Sequence, residues 1–439
     1  MLSIAGSFTC ELQMRGRKRL TSMIDQTARW GSTGSDTVSS VREDTETDRE
    51  GRVIWSVAPS ALFVTTVPVT LEVFLAPFAH HFREQGWRID ALANGATTTP
   101  ALAGIFDECH DAPWTRNPLS PRNLIGTARH VRELVAREGY DLVHVHTPIA
   151  AFVTRFALRR LPPGQRPVVI YTAHGFHFYR GQRFYLRALY RALERRAARW
   201  TDYLVTINAE DFEAARAFGT IRRERVRLIP GIGVETMRFS EDAVTDDEAD
   251  AVRHELMLPA TVFVLLMIAE FMPVKRHAFV VDAFARVRKE HVVLVFAGDG
   301  PLEATVRAQV ERLGLAERVR FAGYRRDIPA LLAASDALLL ASEREGLARS
   351  VLEAMAAGRP VIGTRTRGIT DALPEGTGWL VPKNDPAALA KAIDDAAGFP
   401  AEVARRGVAA RSLARRTYDL SLIIDAYEEL YREALASRV

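Results

Sequence analysis

Apolar, β-branched runs that alternate with amphipathic stretches predict an α/β chain of two domains, each built on a parallel sheet. Three stretches carry that prediction. Ala337–Ala341 is an apolar run ending in Ser342; a polar turn with Gly346, the amphipathic stretch Ser350–Ala357, then Gly358, Pro360 and a second β-branched run follow it. The order is strand, loop, helix, strand, the unit from which parallel sheets are made. Val262–Ala269 is apolar without interruption, the pattern of a strand covered on both faces. Val226–Pro230 runs into Gly231, Ile232, Gly233 and Val234, a Pro/Gly hinge that places the domain boundary there. A chain of 439 residues also has room for two full cores, at roughly 100–200 residues each.

In order along the chain, residues 1–51 are rich in Ser, Thr, Asp, Glu and Arg, show no period, and read as a disordered tail or an over-long start without chemistry. Regular structure is expected from the strand Ala61–Val67, followed by Pro68, Val69 and Thr70 and a helical pattern over Leu71–Gln85 that Gly86 closes. Trp87–Leu92 is the next strand. Asp141–His146 alternates as a strand, so His144 and His146 share a face. Such a pair is compatible with a metal, but no third ligand accompanies it, which leaves strand-end packing or the polarity of a cleft. Val168–Thr172 is a strand that runs into Ala173, His174, Gly175, Phe176, His177 and Phe178. Gly175 allows a tight bend at a strand end, where open α/β sheets bind ligands. A histidine satisfied within its own loop is the alternative for His174. Tyr203–Asn208 is a strand, with a helix over Glu210–Phe218 behind it. Asp246–Asp250 matches a metal-binding Asp-x-Asp only loosely and better suits the start of a helix over Glu248–Leu256. In the second domain Val292–Ala297 and Val319–Phe321 are strands and Leu302–Leu313 a helix. Gly298 and Gly300 permit close backbone approach to a ligand. Leu422–Ala434 is amphipathic and lies near the end of the chain.

Composition excludes several classes of function. A formal net charge of +4 is small for this length, and no nucleic-acid motif accompanies it. Arg183, Arg187, Arg191, Arg195 and Arg199 recur every four residues among Phe184, Leu186, Leu189, Tyr190, Leu193 and Trp200, which makes one broad basic face. A basic amphipathic helix of this kind suits an anionic membrane surface; the alternative is a solvated face paired with Glu194 and other acids. No run reaches the roughly 18 apolar residues of a membrane span, so any membrane contact is expected to be peripheral. Cys10 and Cys109 suggest neither a disulfide framework nor a zinc knuckle, and a reducing, cytoplasmic setting fits. Arg15, Arg17, Lys18 and Arg19 follow a mildly apolar segment, the wrong order for a secretory signal.

The chemistry is concentrated in Glu345 and Glu353, with Gly346 and a helix start between them. A helix start offers unpaired backbone N–H groups and a positive dipole end, which suit a phosphate or pyrophosphate. The two carboxylates would be about 12 Å apart if the stretch were wholly helical, the span of a nucleotide sugar. Each can accept paired hydrogen bonds from vicinal hydroxyls, one from a hexose and one from a ribose. An exposed loop Glu and a helix-surface Glu without function is the plain alternative.

Glu345 and Glu353, followed by Ala354, Met355, Ala356, Ala357, Gly358, Arg359, Pro360 and Val361, resemble the signature of glycosyltransferase family 4, and the resemblance runs from about Leu62 to Tyr431. It implies the GT-B fold: an acceptor-side Rossmann-like domain over 52–232, a nucleotide-sugar-binding Rossmann-like domain over 233–416 facing it across a cleft, and a C-terminal helix over 417–439 packing back on the first. It implies a retaining, metal-independent hexosyltransferase, using a UDP-sugar or a GDP-sugar, with a glycan or polyprenyl-linked acceptor in cell-surface polysaccharide synthesis. Glu345 would contact the donor hexose, Glu353 the ribose, and His174 would stand beside the reacting sugar. Lys275 would neutralise the donor phosphates, with Gly346, Leu347, Gly298, Gly300 and Glu270 lining the donor. The family commonly has Gly-Arg where this chain has Ala269 and Glu270, so one phosphate donor is replaced by a carboxylate: either Glu270 is used differently, oriented by Lys275 or Arg276, or phosphate binding is weaker than usual. A GT-B sugar-nucleotide 2-epimerase and a non-catalytic sugar-nucleotide-binding subunit are the alternatives. No cofactor and no metal are expected.

Overall fold

The structure, a computed structural model, describes residues 45–47, 53–55, 58–115, 117, 119–179 and 181–437. The chain divides into two units, 1–57 and 58–438. In the first, β1 (Thr45–Thr47) pairs antiparallel with β2 (Val53–Trp55). The tail expected over 1–51 otherwise lies outside the described residues, as does Cys10.

The second unit contains two parallel sheets. β3 (Ser60–Val64), β4 (Arg88–Ala93), β5 (Cys109–Asp111), β6 (Leu142–Val145), β7 (Val168–Ala173), β8 (Tyr203–Thr206) and β9 (Val226–Leu228) form one, in the order β5-β4-β3-β6-β7-β8-β9. β10 (Phe263–Ile268), β11 (Val292–Ala297), β12 (Val319–Gly323), β13 (Ala337–Leu340), β14 (Val361–Thr364) and β15 (Gly378–Val381) form the other, in the order β12-β11-β10-β13-β14-β15. Every pairing in both sheets is parallel, for instance Leu62 with Val143 and Leu265 with Ala337. The uninterrupted apolar runs follow from this, since helices cover both faces and the central strands are buried throughout. In each sheet the strand order reverses beside the first strand, between β3 and β6 and between β10 and β13. The crevices beyond the carboxyl ends of those strands are where open α/β sheets bind ligands. Two Rossmann-like halves, as the GT-B expectation requires, are therefore present.

Two crossings join the halves, and they lie side by side. Val234 N donates to Tyr418 O at 2.8 Å and Leu420 N to Val234 O at 3.0 Å. Gly233 has φ +77, and a Cβ there would lie 2.6 Å from Leu420 Cα, so the hinge needs a glycine on two grounds. The helix Leu420–Ala436 then packs on the first half. Tyr431 stacks on Phe82 with ring centroids 4.8 Å apart, Tyr427 meets Phe78 edge-on at 5.5 Å, and Glu428 bonds His81 at 2.8 Å. No helix among the described residues is long and apolar enough to cross a membrane.

Candidate active site

The second half supplies a pair of opposite charges. After β10 the chain passes Glu270 and turns through Pro273–Lys275. Arg276 then adopts φ +61, rare for a side chain of its size, and its Nη1 donates to Lys383 O at 2.6 Å. The loop after β13 is stitched to this turn, Glu343 N donating to Val274 O at 2.7 Å. The result places Lys275 Nζ 2.7 Å from Glu345 Oε1, with the lysine about a quarter exposed and the carboxylate mostly buried. Lys275 and Glu345, read separately from the sequence, are thus neighbours.

The helix that follows Glu345 is Arg349–Ala356, so the chain from Glu345 to Ala348 is loop, and the span estimated for an all-helical stretch does not apply. Gly346 has no room for a side chain, because a Cβ there would lie 1.9 Å from His174 O across the cleft. Leu347 packs against Gly231 in the hinge. Glu353 is one turn inside the helix and accepts from Arg349 Nε at 2.8 Å, while Arg349 Nη1 reaches Val73 O of the first half at 3.0 Å. Burial raises the Glu353 carboxyl above its ordinary range despite that arginine.

The first half answers with three histidines. His144 and His146 share a face of β6, their ring centroids 3.9 Å apart, and His146 Nδ1 lies 3.2 Å from His174 Nε2 at the end of β7. Phe63, Leu75, Phe78, Ile232, Tyr427 and Tyr431 complete a small cavity around them, and His146 Nε2 has no hydrogen-bond partner there. His144 is anchored by the C-terminal helix, bonding Tyr431 OH at 2.5 Å and Thr172 Oγ1 at 2.8 Å, with Tyr427 OH on the same threonine at 2.9 Å. Burial holds all three rings neutral, pushing His174 down to about 4 and the other two well below their ordinary value. His174 is therefore the third member that the strand pattern lacked. Both nitrogens of His144 are taken by hydroxyls, however, and His146 Nδ1 and His174 Nε2 by each other, so the arrangement is a hydrogen-bonded stack in which His146 Nε2 is left over.

The remaining residues read from sequence stand at the neighbouring loop. Gly298 and Gly300 both have φ +144, and a Cβ on either would collide with the backbone of Ala269 or Phe271. The close approach that these glycines allow is to the chain itself. Glu270 is exposed and, among the described residues, has no hydrogen bond or ion pair from its side chain, so neither Lys275 nor Arg276 orients it. One cluster of metal-ligating types occurs among the described residues, Asp90, Glu108 and His110. Asp90 is already taken by Tyr140 OH at 2.6 Å and Arg88 Nη2 at 2.7 Å, the environment of an ion-paired carboxylate.

Sequence reasoning missed Arg367 and Asp211. They meet across the cleft at 2.7 Å, almost fully buried, directly behind the loops of His174 and Glu345. Arg367 follows a β-branched strand and Asp211 opens a helix, so neither lies in a pattern that points to the other.

Residues 71–236 match the family described as Glycosyltransferase Family 4, and residues 262–397 that described as Glycosyl transferases group 1. EpsD of Bacillus subtilis (strain 168), provisionally named a glycosyltransferase, is 34% identical over 84% of this chain and 97% of its own length. The UDP-Gal:alpha-D-GlcNAc-diphosphoundecaprenol alpha-1,3-galactosyltransferase of Escherichia coli is 29% identical over 58% of this chain and 65% of its own. Among solved structures, Anabaena HepE in complex with UDP and glucose superposes with a TM-score of 0.71 at 22% identity, over 85% of this chain and all of that one. WaaG, a glycosyltransferase involved in lipopolysaccharide biosynthesis, does so at 0.66 and 17%, over 84% and 99%. With the paired Rossmann-like halves, the Glu345/Glu353 signature and a relative of this identity along nearly its whole length, the chain belongs to glycosyltransferase family 4 and has the GT-B fold.

Proposed function

We propose that this chain transfers a hexose from a nucleotide diphosphate sugar, a UDP-sugar before a GDP-sugar, to a hydroxyl of a glycan or polyprenyl-linked acceptor in cell-surface polysaccharide synthesis, with the anomeric configuration retained. The observation that carries the reading is the Lys275–Glu345 pair at the switch point of the second sheet, facing His174 across the cleft. As the bond from the sugar to phosphate breaks, negative charge grows on the diphosphate while the sugar becomes oxocarbenium-like. Lys275 and the backbone N–H groups at the start of helix Arg349–Ala356 stabilise that anion, in the role a metal has elsewhere. Glu345 holds the hexose hydroxyls, Glu353 the ribose, and the neutral His174 offers a hydrogen bond beside the reacting carbon. Gly298 and Gly300 keep the neighbouring loop close to Ala269–Phe271, and the leaving phosphate takes the acceptor proton. Support for the donor comes from HepE, solved with UDP and glucose, and for the acceptor from the Escherichia coli relative, named for a diphosphoundecaprenol-linked substrate.

The place of work in this reading is a membrane surface. Helix Phe184–Ala197 buries only Ala197, and Phe184 is 83% exposed, with Tyr185 and Leu189 half exposed. Glu194 does not neutralise the arginines of its own helix: it accepts from the buried Arg155 at 3.1 Å and from Tyr171 OH at 3.3 Å. Among the described residues none of Arg183, Arg187, Arg191, Arg195 and Arg199 has an ion pair, which leaves the basic face for anionic headgroups with apolar side chains beside it.

The test is an incubation of the purified chain with UDP-, GDP- and ADP-sugars, with and without chelator, repeated with Glu345→Ala. Slow donor hydrolysis that survives chelation and vanishes in the variant supports the reading, and the anomer transferred to an acceptor decides retention. Epimerised donor would move the chain to the 2-epimerases; binding without turnover would make it a carrier subunit.

A further inference from the structure

Arg367 lies just after β14, in the turn that leads through Gly368 into the short helix Ile369–Ala372. Its guanidinium is 6% exposed and crosses from the second half to the first. Nη1 donates to Asp211 Oδ1 at 2.7 Å and to Phe178 O at 3.3 Å, and Nη2 to Phe176 O at 2.6 Å. Nε stays in its own half, on Glu345 O at 3.3 Å. One planar group therefore touches both the loop that carries His174 and the residue that carries the Glu345 carboxylate.

The seat for this group is built on both sides. Asp211 is 1% exposed; its other oxygen accepts from Phe176 N at 3.0 Å and from Asn208 Nδ2 at 2.8 Å, so the carboxylate fixes the His174 loop as well as the arginine. Asp371, one turn beyond Arg367, accepts from Ala209 N at 3.0 Å and docks the same helix. The backbones close around the pair without side chains between them. A Cβ on Gly368 would lie 2.2 Å from Gly346 O, and one on Gly175 would lie 3.3 Å from Gly346 Cα and 3.2 Å from Arg367 Nη2. A buried ion pair is a poor device for stability alone, since apolar packing of the same volume commonly serves as well. It is a good device for register, because five donors in a rigid plane fit only one arrangement of acceptors.

We infer that Arg367, seated on Asp211, is a positioning residue that sets Glu345 against His174, so that the sugar-transfer site is assembled only while this buried contact between the halves is made. The inference rests on the reading that Glu345 and His174 flank the donor sugar. The two loops belong to different sheets, and the covalent links between the halves are at the hinge and at residue 419, so the contact supplies the register that the chain path does not.

The test uses the full chain, with the nucleotide sugar that the wild type turns over. The paired variant Arg367→Gln with Asp211→Asn removes both buried charges together, and Arg367→Lys keeps the charge but loses the fork. For the paired variant the expected result is a turnover lower by about a hundredfold with donor KM within about threefold, since a displacement of about 1 Å is enough for such a loss. Arg367→Lys is expected to lose about tenfold in kcat, again with KM nearly unchanged. Hydrogen exchange read by mass spectrometry over residues 174–178 should speed up in both, because the loop loses the guanidinium that bonds Phe176 O and Phe178 O. Wild-type kcat in either folded variant overturns the inference, as does a loss confined to KM, which would make Arg367 a donor-binding group. If the paired variant does not fold, Arg367→Lys decides alone. A wild type that turns over no nucleotide sugar would defeat the functional reading instead, and the exchange of residues 174–178 would still report whether Arg367 holds that loop.

Discussion

Acid should unfold this protein through its histidines, and His174 allows the effect to be worked out. In the folded chain burial keeps its imidazole neutral down to about pH 4, while in the unfolded chain it protonates near 6.5. Between those values the unfolded state binds the extra proton, so stability falls as pH falls; above about 6.5 both states are neutral and this group contributes no pH dependence. A shift of about 2.5 units corresponds to about 3 kcal/mol lost between pH 7 and pH 4, a large part of the roughly 5–15 kcal/mol that holds a domain together. His174→Gln replaces the titrating ring by a polar amide that does not titrate. Urea unfolding at intervals from pH 7.5 to 4 should therefore give wild-type and variant curves that converge as the pH drops, the difference between them changing by about 3 kcal/mol. Other groups cancel in that difference to the extent that the variant leaves their surroundings alone. Parallel curves would refute the reasoning, for they would mean that His174 is protonated as easily in the folded chain as out of it.

Four further outcomes are expected. Lys275→Ala should reduce donor turnover by about a hundredfold or more, the usual effect of removing one preorganised donor worth about 3–4 kcal/mol, and wild-type turnover would remove Lys275 from the mechanism. Gly346→Ala should fold, because its backbone is not left-handed, yet lose about a hundredfold in kcat, because the new Cβ would meet His174 O; unchanged kinetics would show that the halves need not approach so closely. Glu353→Gln should raise donor KM about tenfold with a smaller effect on kcat, as removal of a ground-state contact does, and a pure kcat effect would contradict the ribose assignment. Replacing Phe184, Tyr185 and Leu189 together by Ser should abolish co-sedimentation with vesicles containing anionic lipid, and high salt should weaken the wild type's binding; wild-type sedimentation in the variant would return the helix to solvent.

The parts of the fold legible in the sequence were those with a local signal. Val262–Ala269 announced a covered strand because no polar residue interrupts it, and the Gly231–Val234 hinge because only glycine tolerates its left-handed turns. Glu345 and Glu353 were legible because one helix carries the second and one loop the first. β5 was not, since Cys109–Asp111 is three polar-flanked residues whose strand character comes from pairing with β4. The same limit applies to the site. Arg367 and Asp211 are separated by 156 residues, and Tyr431 and His144 by 287, so their contacts exist only once the chain is folded. Glu194 shows the same limit from the other side. The alternative of a solvated face paired it with the arginines of its own helix, but burial gave it to Arg155, which has no other carboxylate within reach among the described residues.

The returning helix also bears on how the molecule is made. Tyr427 and Tyr431 complete the hydrogen bonding of Thr172 and His144 and fill the space beside Phe82, all in the half that a ribosome synthesises first. That half must wait, with His144 Nδ1 lacking its hydroxyl and an apolar face uncovered, until residues 420–436 emerge. A fragment ending at the hinge should accordingly be loosely packed and prone to aggregate, and adding residues 417–437 as a separate peptide should tighten it.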